Sequence, residues 1–465
     1  MNKTKPLVVI NVVGLTHSMV GRDTPHISAL AAEGFARPLE TVFPAVTCSV
    51  QSSLLTGLLP REHGIVGNGW YDRELAEVFF WRQSNRLVHG ERLYDTARQI
   101  DPAYTIAKMF WWYNMYAEVD FSVTPRPTYP ADGRKVFDTY SKPSALKDTL
   151  QKRHGIFPLM KFWGPGADIL STAWIADAST DVIQEHRPSL TLVYLPHLDY
   201  NLQRLGPADP RIKNDIAAVD AEAGKVIASA KDQGADVVVV SEYAITAVNT
   251  PVHINRILRH HGFLQVRQES TGWETLDGGA SRAFAVADHQ IAHIYIRNQR
   301  DVPSVENLLK GTQGIDQVLN REKQKAIGID HERAGDLVVV SEQGCWFTYY
   351  FWMDDACAPD YARTVDIHRK PGYDPVELFL DKGIRFPKIH VARRLVQKKL
   401  GFRYLMDVIG LDANVVKGSH GRLSESGREE SDSPVFVCSS RAIEADAMAV
   451  IDVKKQLLRL QLGVS

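Results

Sequence analysis

The chain has 465 residues, with 54 Lys or Arg against 55 Asp or Glu, which gives a formal net charge of −1. This balance excludes the strongly basic surface of a general nucleic-acid binder and, with 44% hydrophobic residues, the composition of a disordered chain. The four cysteines are too few and too scattered for a disulfide scaffold or a thiolate zinc site. Because no apolar run reaches the ~20 residues that a bilayer span needs, we expect a cytoplasmic protein.

Short runs rich in β-branched residues predict the strands of a buried sheet. The first run, residues 7–15, follows two lysines, but it is short and interrupted by Asn11, and no cleavage site follows it. We therefore interpret it as the first strand and not as a signal peptide. The other predicted strands are 190–195, 235–241, 291–296, 336–341 and 434–438.

Segments with helical spacing lie between these runs. They cover residues 26–34, 48–55, 91–99, 172–185, 210–231, 251–261 and 445–462. We expect the last of them to cover the sheet. Strands that alternate with helices predict an α/β fold around a mainly parallel sheet flanked by helices.

The segment 41–68 carries the clearest candidate for chemistry. Thr47 follows Phe43-Pro44 and stands at or near the start of the helix 48–55. At a helix N-terminus, unpaired N–H groups and the helix dipole favour an anion such as phosphate. A threonine there is also a common helix cap, so position alone leaves both roles open.

The same segment resembles the nucleotide pyrophosphatase/phosphodiesterase branch of the alkaline phosphatase superfamily. In that family the nucleophilic threonine lies nine residues before a Thr-Gly pair, as Thr47 lies before Thr56-Gly57, and residues 59–65 (LPREHGI) keep the spacing that follows. Residues 24–34 resemble the TPNLDRLAAEG helix of the family. Asn68, ahead of the triplet 70–72, matches an asparagine that holds a phosphoryl oxygen.

The resemblance implies that Thr47, made nucleophilic by a metal, attacks a phosphoryl group and forms a covalent phospho-threonine. Cys48 is an alternative nucleophile, but the nine-residue spacing selects Thr47.

The resemblance also implies two divalent metals, usually zinc, held by Asp and His side chains. Asp199 matches the Asp of a D-x-x-x-H motif and follows a predicted strand, where open α/β sheets place their sites. His420 matches a late His-Gly motif, and Glu242 stands at the Asp of a Ser-Asp-His-Gly motif. On this basis Asp199, Glu242 and His420 are assigned as metal anchors, for one or two zinc ions.

Three ligands expected from the resemblance are replaced in this chain. Val13 stands for the Asp of the first strand, Gln203 for the His four residues after Asp199, and Tyr243 for the His of the Ser-Asp-His-Gly motif. A rebuilt site with one strong metal is therefore one hypothesis. For each substitute histidine taken alone, a structural or surface role is favoured. The substitutes near the same strand ends are Asn11, His197, His253 and His289.

Three further features have two interpretations each, and a fourth has one. The Asp366–His368 pair is either a surface loop or a pair of ligands, and Trp70 and Tyr71 either pack in the core or bind substrate by stacking. The basic stretch 388–403 is interpreted as a solvated helix face, with an anionic ligand patch as the alternative. The polar stretch 424–433 is interpreted as an exposed loop.

Together these observations predict a single alkaline-phosphatase-like α/β domain over residues 1–465, with inserted cap segments at about 73–165 and 375–412. The expected function is a metal-dependent hydrolase that cleaves a phosphodiester, pyrophosphate or phosphonate bond. Its substrate is expected to be a small-molecule phosphate ester, with neither a nucleic-acid polymer nor a membrane as partner. The alternatives are a non-catalytic binding protein of the same fold, and a phosphomutase or phosphonate hydrolase acting on a small metabolite.

Overall fold

The computed structural model describes residues 5–131, 134–423 and 432–464. The first eight residues of the predicted polar loop 424–433 lie outside these described residues. The strands are β1 (Leu7–Val12), β2 (Phe35–Glu40), β3 (Gly69–Asp72), β4 (Glu77–Phe80), β5 (Ile106–Met109), β6 (Phe121–Pro125), β7 (Thr139–Lys142), β8 (Leu190–Leu195), β9 (Asp236–Val240), β10 (Thr246–Ala247), β11 (Thr250–Val252), β12 (Val266–Gln268), β13 (Glu274–Leu276), β14 (Ala283–Asp288), β15 (Ile291–Ile296), β16 (Ile315–Leu319), β17 (Leu337–Ser341), β18 (Cys345–Phe347), β19 (Gly418–Ser419), β20 (Val435–Cys438) and β21 (Met448–Ala449).

The helices alternate with these strands over most of the chain. They are α1 (Pro25–Glu33), α2 (Thr47–Thr56), α3 (Pro60–His63), α4 (Leu93–Ile100), α5 (Ser144–His154), α6 (Leu159–Phe162), α7 (Ile169–His186), α8 (His197–Leu205), α9 (Ile212–Asp232), α10 (Ile254–His260), α11 (Val302–Lys310), α12 (Arg321–Ala326), α13 (Pro387–Lys399) and α14 (Val453–Leu462). None of the helices in the described parts of the chain is long and apolar enough to cross a bilayer.

The main sheet has the strand order β21-β2-β20-β9-β1-β8-β5-β6-β7 among the described residues. Strands β9, β1, β8, β5 and β6 run parallel, whereas β20 and β7 run antiparallel to their neighbours. The predicted α/β fold with a mainly parallel sheet is therefore confirmed.

Both faces of the main sheet are covered, which explains why its strands are continuous apolar runs. Along β1, Val8, Ile10 and Val12 pack in a core with α1, α7 and α9. The alternate residues Leu7 and Val9 pack in a second core with α2, α4 and α14. The C-terminal segment thus provides a helix that covers the sheet, as the sequence predicts.

A second, antiparallel sheet is formed by β14, β15, β17 and β16 and has its own apolar core. The predicted strands 291–296 and 336–341 belong to this sheet and not to the main one. Hairpin strands with both faces covered are as apolar as parallel strands, so the pattern alone could not assign them to a sheet.

The stretch 73–165, predicted as an insertion, contains strands of the main sheet. Strands β5, β6 and β7 lie within it and extend the main sheet, with β5 paired directly to β8. These strands are only four to five residues long. Such short runs give a weak periodic signal, so the sequence did not reveal them.

Candidate active site

The candidate site lies where three neighbouring strands of the main sheet end. Asn11 stands near the end of β1, Asp199 lies in the first turn of α8 after β8, and Glu242 and Tyr243 follow β9. Because β8, β1 and β9 are parallel and adjacent, their carboxyl ends bring these side chains to one edge of the sheet.

Thr47 enters the site as the first residue of α2, as the sequence predicts. Every residue of α2 is buried, and Val46 before it provides no side-chain cap. Thr47 Oγ1 lies 3.0 Å from the hydroxyl of Tyr243. That hydroxyl in turn donates to Asp199 Oδ1 across 3.5 Å, so the three side chains form one continuous polar path.

Glu242 is fully buried beside Thr47 and is held by two amide groups. Asn11 Nδ2 donates to Glu242 Oε1 at 2.5 Å, and Gln51 Nε2 donates to the same oxygen at 2.6 Å. The other carboxyl oxygen of Glu242 has no hydrogen-bond partner among the described residues. Asp199 is held in the same way, since Gln203 Nε2 donates to its Oδ2 at 3.0 Å.

Asn68 links the start of α2 to the second sheet. Its side-chain oxygen accepts a hydrogen bond from the backbone N–H of Cys48 at 3.0 Å. Its own backbone N–H and Nδ2 donate to the two carboxyl oxygens of Asp288, at 2.8 and 3.1 Å. Because an amide nitrogen carries two hydrogens, one N–H of Asn68 remains to bind a further acceptor.

His420 lies against the face of Tyr243. The two rings are parallel, with an interplanar angle of 6° and centroids 3.7 Å apart. His420 Nδ1 donates to the backbone carbonyl of Ala45 at 2.8 Å, which leaves Nε2 as the unprotonated nitrogen of the neutral ring. His289, whose φ is +62°, packs on the other side of His420 at 3.7 Å.

Burial sets the protonation of these groups. It raises the pKa of Asp199 to about 6, of Asp288 to about 7 and of Glu242 to about 8, although hydrogen bonds lower each of them in part. Burial likewise lowers the pKa of His420 to about 3. It raises the pKa of the Cys48 thiol well above its usual range, so Cys48 stays a thiol and is a poor alternative to Thr47.

The residues present do not fit the two-metal centre that the resemblance implies. Among residues 5–131, 134–423 and 432–464, no group of three His, Cys, Asp or Glu side chains is arranged to hold a metal ion. The two carboxylates are bonded to the amides of Asn11, Gln51 and Gln203, and the ring of Tyr243 is packed against His420. The amide of Gln203 and the phenol of Tyr243 stand where the resemblance expects imidazole ligands, and Val13 stands where it expects an Asp.

The structure therefore brings Thr47, Asn11, Asp199, Glu242 and His420 into one cluster, and adds His289 through its stack on His420. No contact of the described residues brings His197 or His253 to this cluster. His197 Nε2 is bonded to Asp215 at 3.1 Å, and His253 Nδ1 to Thr348 at 2.7 Å.

The predicted substrate-binding aromatics lie outside this cluster as well. Tyr71 packs edge-on against Phe284 and Tyr295, and Trp70 is buried beneath the guanidinium of Arg333. The side chain of His368 lies 3.4 Å from the carbonyl oxygen of Phe80, away from the carboxylates.

Sequence reasoning missed Gln51 as a member of the site. Its side chain joins two segments that are 191 residues apart in the chain. Gln51 stands four residues after Thr47, and residues four apart share one face of a helix. That spacing was the signal that could have identified it.

Comparison with known proteins identifies the family of the chain and a shared fold. Residues 7–374 match the type I phosphodiesterase / nucleotide pyrophosphatase family. The chain is 24% identical over 259 residues to an uncharacterised pyrophosphatase/phosphodiesterase of Schizosaccharomyces pombe. The aligned region covers 54% of this chain and 46% of that protein. The chain thus spans about half the length of this curated relative.

Two solved structures share the fold. One is murine ectonucleotide pyrophosphatase / phosphodiesterase 5, as an inactive threonine-to-alanine variant in complex with AMP, with a TM-score of 0.58, 15% identity, and coverage of 100% of this chain and 96% of that one. The other is phosphonoacetate hydrolase from Sinorhizobium meliloti in complex with phosphonoacetate, with a TM-score of 0.61, 14% identity, and coverage of 97% and 94%.

Proposed function

Since the chain belongs to the type I phosphodiesterase / nucleotide pyrophosphatase family, we propose that it hydrolyses a phosphodiester, pyrophosphate or phosphonate bond of a small molecule. Thr47 is the nucleophile in this proposal. The observation that carries it is the 3.0 Å contact between Thr47 Oγ1 and the Tyr243 hydroxyl at the start of a buried helix. We retain the cytoplasm as the proposed compartment.

The start of α2 supports the binding of a phosphoryl group. The helix has ten residues, and its first N–H groups have no intrahelical partner. Val46 caps none of them, and the N–H of Cys48 is bonded to the side-chain oxygen of Asn68. Such a terminus favours an anion. The N–H of Asn68 Nδ2 that is not bonded to Asp288 supplies a further donor to a phosphoryl oxygen.

The polar path from Thr47 supports a covalent mechanism. Thr47 Oγ attacks phosphorus while its proton passes to the Tyr243 oxygen and the Tyr243 proton passes to Asp199. The bond from phosphorus to the leaving group breaks, and the leaving group takes up a proton from solvent. Water then cleaves the phospho-threonine and releases one proton to solvent, and Thr47 is restored by the proton that returns from Asp199 along the same path.

The carboxyl groups around Thr47 favour one class of substrate over another. Asp199, Asp288 and Glu242 all lie in or beside the site and are buried. Ionised Asp199, whose pKa is about 6, repels a phosphate monoester dianion more strongly than a diester monoanion, and Asp288 and Glu242 add to this repulsion as they ionise at higher pH. We therefore expect diesters to react faster than monoesters.

Two relatives are consistent with this proposal. The murine structure with AMP is of a variant in which a threonine is replaced and which is described as inactive. The phosphonoacetate complex makes a phosphonate a second substrate class to test. The zinc centre that the resemblance implies is no part of the mechanism, because the residues present do not fit it.

A second candidate function is a non-catalytic protein that binds a phosphorylated small molecule in the same cleft. The amide groups on both carboxylates favour it, because they satisfy the carboxylates without a metal ion. In this case the chain would bind AMP without turning over any ester.

Hydrolysis assays separate the two functions. Bis(4-nitrophenyl) phosphate, 4-nitrophenyl phosphate and phosphonoacetate are incubated with wild type, Thr47→Ser and Thr47→Ala, and AMP binding is measured by calorimetry. If the chain is a hydrolase, we expect turnover by wild type, reduced turnover by Thr47→Ser and none by Thr47→Ala. The Thr47→Ala variant should still bind AMP. Absence of turnover with retained AMP binding in wild type supports the binding protein.

A further inference from the structure

The segment 381–408 forms an excursion from the body of the protein. Its base is closed, because Leu380 pairs with Ile409 and the N–H of Asp381 donates to the carbonyl of Val408 at 2.8 Å. Its centre is helix α13, which has no buried residue over its 13 positions. A helix of this length normally buries an apolar stripe against its own protein.

The apolar side chains of this excursion point largely to solvent. Single exposed apolar residues are common, but several on one short segment mark a surface that binds something. The exposed fractions are 58% for Phe386, 67% for Ile389, 52% for Leu395, 55% for Val396, 67% for Leu400 and 65% for Phe402.

The same segment is the most basic part of a chain whose charge is otherwise balanced. Residues 382–406 contain eight Lys or Arg and no Asp or Glu, although the whole chain has a net charge of −1. Arg394 on the inner side of the helix pairs with Asp407 at 2.6 Å and fixes α13 to the excursion. The other seven basic residues form no ion pair within the described parts of the chain.

From this combination we propose that the excursion 381–408 docks on an anionic lipid surface. Helices with an exposed apolar side and a basic polar side lie in the plane of a membrane interface. Arg393 and Arg403 flank a groove lined by Val396, Leu400 and Phe402, so their long stems reach lipid headgroups while the apolar side chains insert.

An anionic bilayer fits this surface better than an acidic protein does. The exposed aromatic rings stand at both ends of the helix, with Phe386 before it and Phe402 after it. The basic residues are spread over the whole segment. No acidic residue lies among them that would fix the orientation of a protein partner. The cytoplasmic leaflet carries anionic lipids, which agrees with the compartment that we propose.

This inference departs from the sequence-based interpretation of 388–403 as a solvated face and from the expectation of no membrane partner. The sequence could not show that α13 leaves Ile389, Leu395 and Val396 exposed and packs Val391 only partly against the core. The inference does not depend on the proposed function, since no residue of the excursion belongs to the cluster around Thr47.

Vesicle co-sedimentation tests the proposal directly. The full chain is mixed with vesicles of phosphatidylcholine alone or with added phosphatidylserine, at low and at high salt. We expect binding to the anionic vesicles, little binding to the neutral ones, and a marked loss at high salt. Lys398→Gln/Lys399→Gln should weaken binding about tenfold or more, and so should Ile389→Ser/Leu400→Ser.

Matched variants elsewhere on the surface control for general charge and apolarity. Lys323→Gln/Lys325→Gln removes two exposed charges from α12, and Leu75→Ser/Leu170→Ser removes side chains that are 63% and 56% exposed. Both controls should bind anionic vesicles as wild type does. Because these positions are exposed, apart from the half-buried Lys398, the melting temperatures should stay close to that of wild type.

Three results would overturn the proposal. The first is no binding to anionic vesicles by the folded wild type, as expected if a protein partner covers the excursion. The second is an equal loss of binding to anionic vesicles in the test variants and in the control variants. The third is a wild-type dimer that Ile389→Ser/Leu400→Ser converts to monomer without any vesicle binding, which would assign the surface to a second copy of the chain.

Discussion

Tyr243 is the residue that most distinguishes this site from the pattern of its family. It stands where the resemblance expects a histidine ligand, yet its hydroxyl contacts Thr47 and donates to Asp199, and its ring packs on His420. Burial holds the pKa of Tyr243 well above its usual range, so the phenol remains protonated. A protonated phenol passes a proton between neighbours better than it binds a metal.

Replacing Tyr243 by phenylalanine tests this role. The ring and its stack on His420 remain, but the path from Thr47 to Asp199 is broken. We expect kcat to fall by roughly 100-fold or more with little change in KM, since proton transfer contributes to the chemical step and not to ground-state binding. Tyr295→Phe, which removes a buried hydroxyl bonded to Arg333, should leave both constants unchanged. Equal losses in the two variants would contradict the role of Tyr243.

Lys108 is a buried cation in the middle of β5, and its Nζ donates to the carbonyl of Tyr113 at 2.8 Å. Burial lowers its pKa from the usual 10.5 to about 7. Between these values the unfolded chain holds a proton that the folded chain has lost, so stability rises with pH from 7 to 10.5. The slope is roughly 1.4 kcal/mol per pH unit at most for one group.

The Lys108→Met variant lacks this titration and provides the comparison. In urea unfolding, the free energy of unfolding of wild type should rise relative to that of Lys108→Met as the pH increases from 7 toward 10. Below pH 7 the difference in free energy of unfolding between the two proteins should be constant, because Lys108 is then protonated in both the folded and the unfolded chain. A difference that is independent of pH over the whole range would contradict the shifted pKa.

The site residues that could be predicted are those fixed by local motifs. Thr47, Asp199, Glu242 and His420 were found because each keeps a short spacing to its neighbours in sequence. The hydrogen bonds between these residues and their partners could not be predicted, because the partners come from remote segments. Glu242 is bonded to Asn11 and Gln51, which are 231 and 191 residues away. Which amide faces which carboxylate depends on how the sheet is assembled.

Among the elements, the segment between β18 and α13 is the one that ties the second sheet to the site. Tyr373 packs on His289 at 4.2 Å, and the carbonyl of Leu378 accepts from the hydroxyl of Tyr200, next to Asp199. Within this segment Lys370 Nζ lies 2.5 Å from Glu377 Oε1, and both side chains are fully buried.

Breaking this ion pair should destabilise the segment strongly. Lys370→Met leaves Glu377 buried without its cation, and we expect a loss of about 3–5 kcal/mol in the free energy of unfolding. The double variant Lys370→Met/Glu377→Met removes both charges and should recover most of that loss. The values are measured by denaturant unfolding at neutral pH. A double variant that is no more stable than the single one would contradict the account.

At the scale of elements, sequence patterns predict where strands lie in the chain but not their direction or the sheet to which they belong. The runs at 7–15, 190–195 and 235–241 proved to be β1, β8 and β9, because a central parallel strand is apolar throughout. The run at 434–438 is also a strand, but it lies antiparallel to β9. Direction and sheet membership depend on contacts between distant segments, and these patterns do not contain them.

At the scale of the whole molecule, the chain has the fold of a family that generally depends on divalent metals. The residues of the cluster around Thr47, however, do not fit a centre with two metal ions. We expect protein purified without chelators to hold well below one equivalent of zinc. The variant Gln203→His/Tyr243→His restores two imidazoles beside Asp199 and His420 and should gain zinc, measured by elemental analysis. The control Gln203→Asn/Tyr243→Phe should not. Stoichiometric zinc in wild type would contradict the conclusion that the residues of the cluster do not fit a zinc centre.

The central claim is that Thr47 forms a covalent intermediate in a site that uses no metal ion. Its most direct test is mass spectrometry of the protein after treatment with EDTA, brief incubation with bis(4-nitrophenyl) phosphate and acid quench. The account predicts a 4-nitrophenyl phosphoryl group on Thr47, absent in Thr47→Ala. Turnover by the EDTA-treated protein with a label on another residue, or a label on Thr47 that appears only when zinc is added, would contradict it.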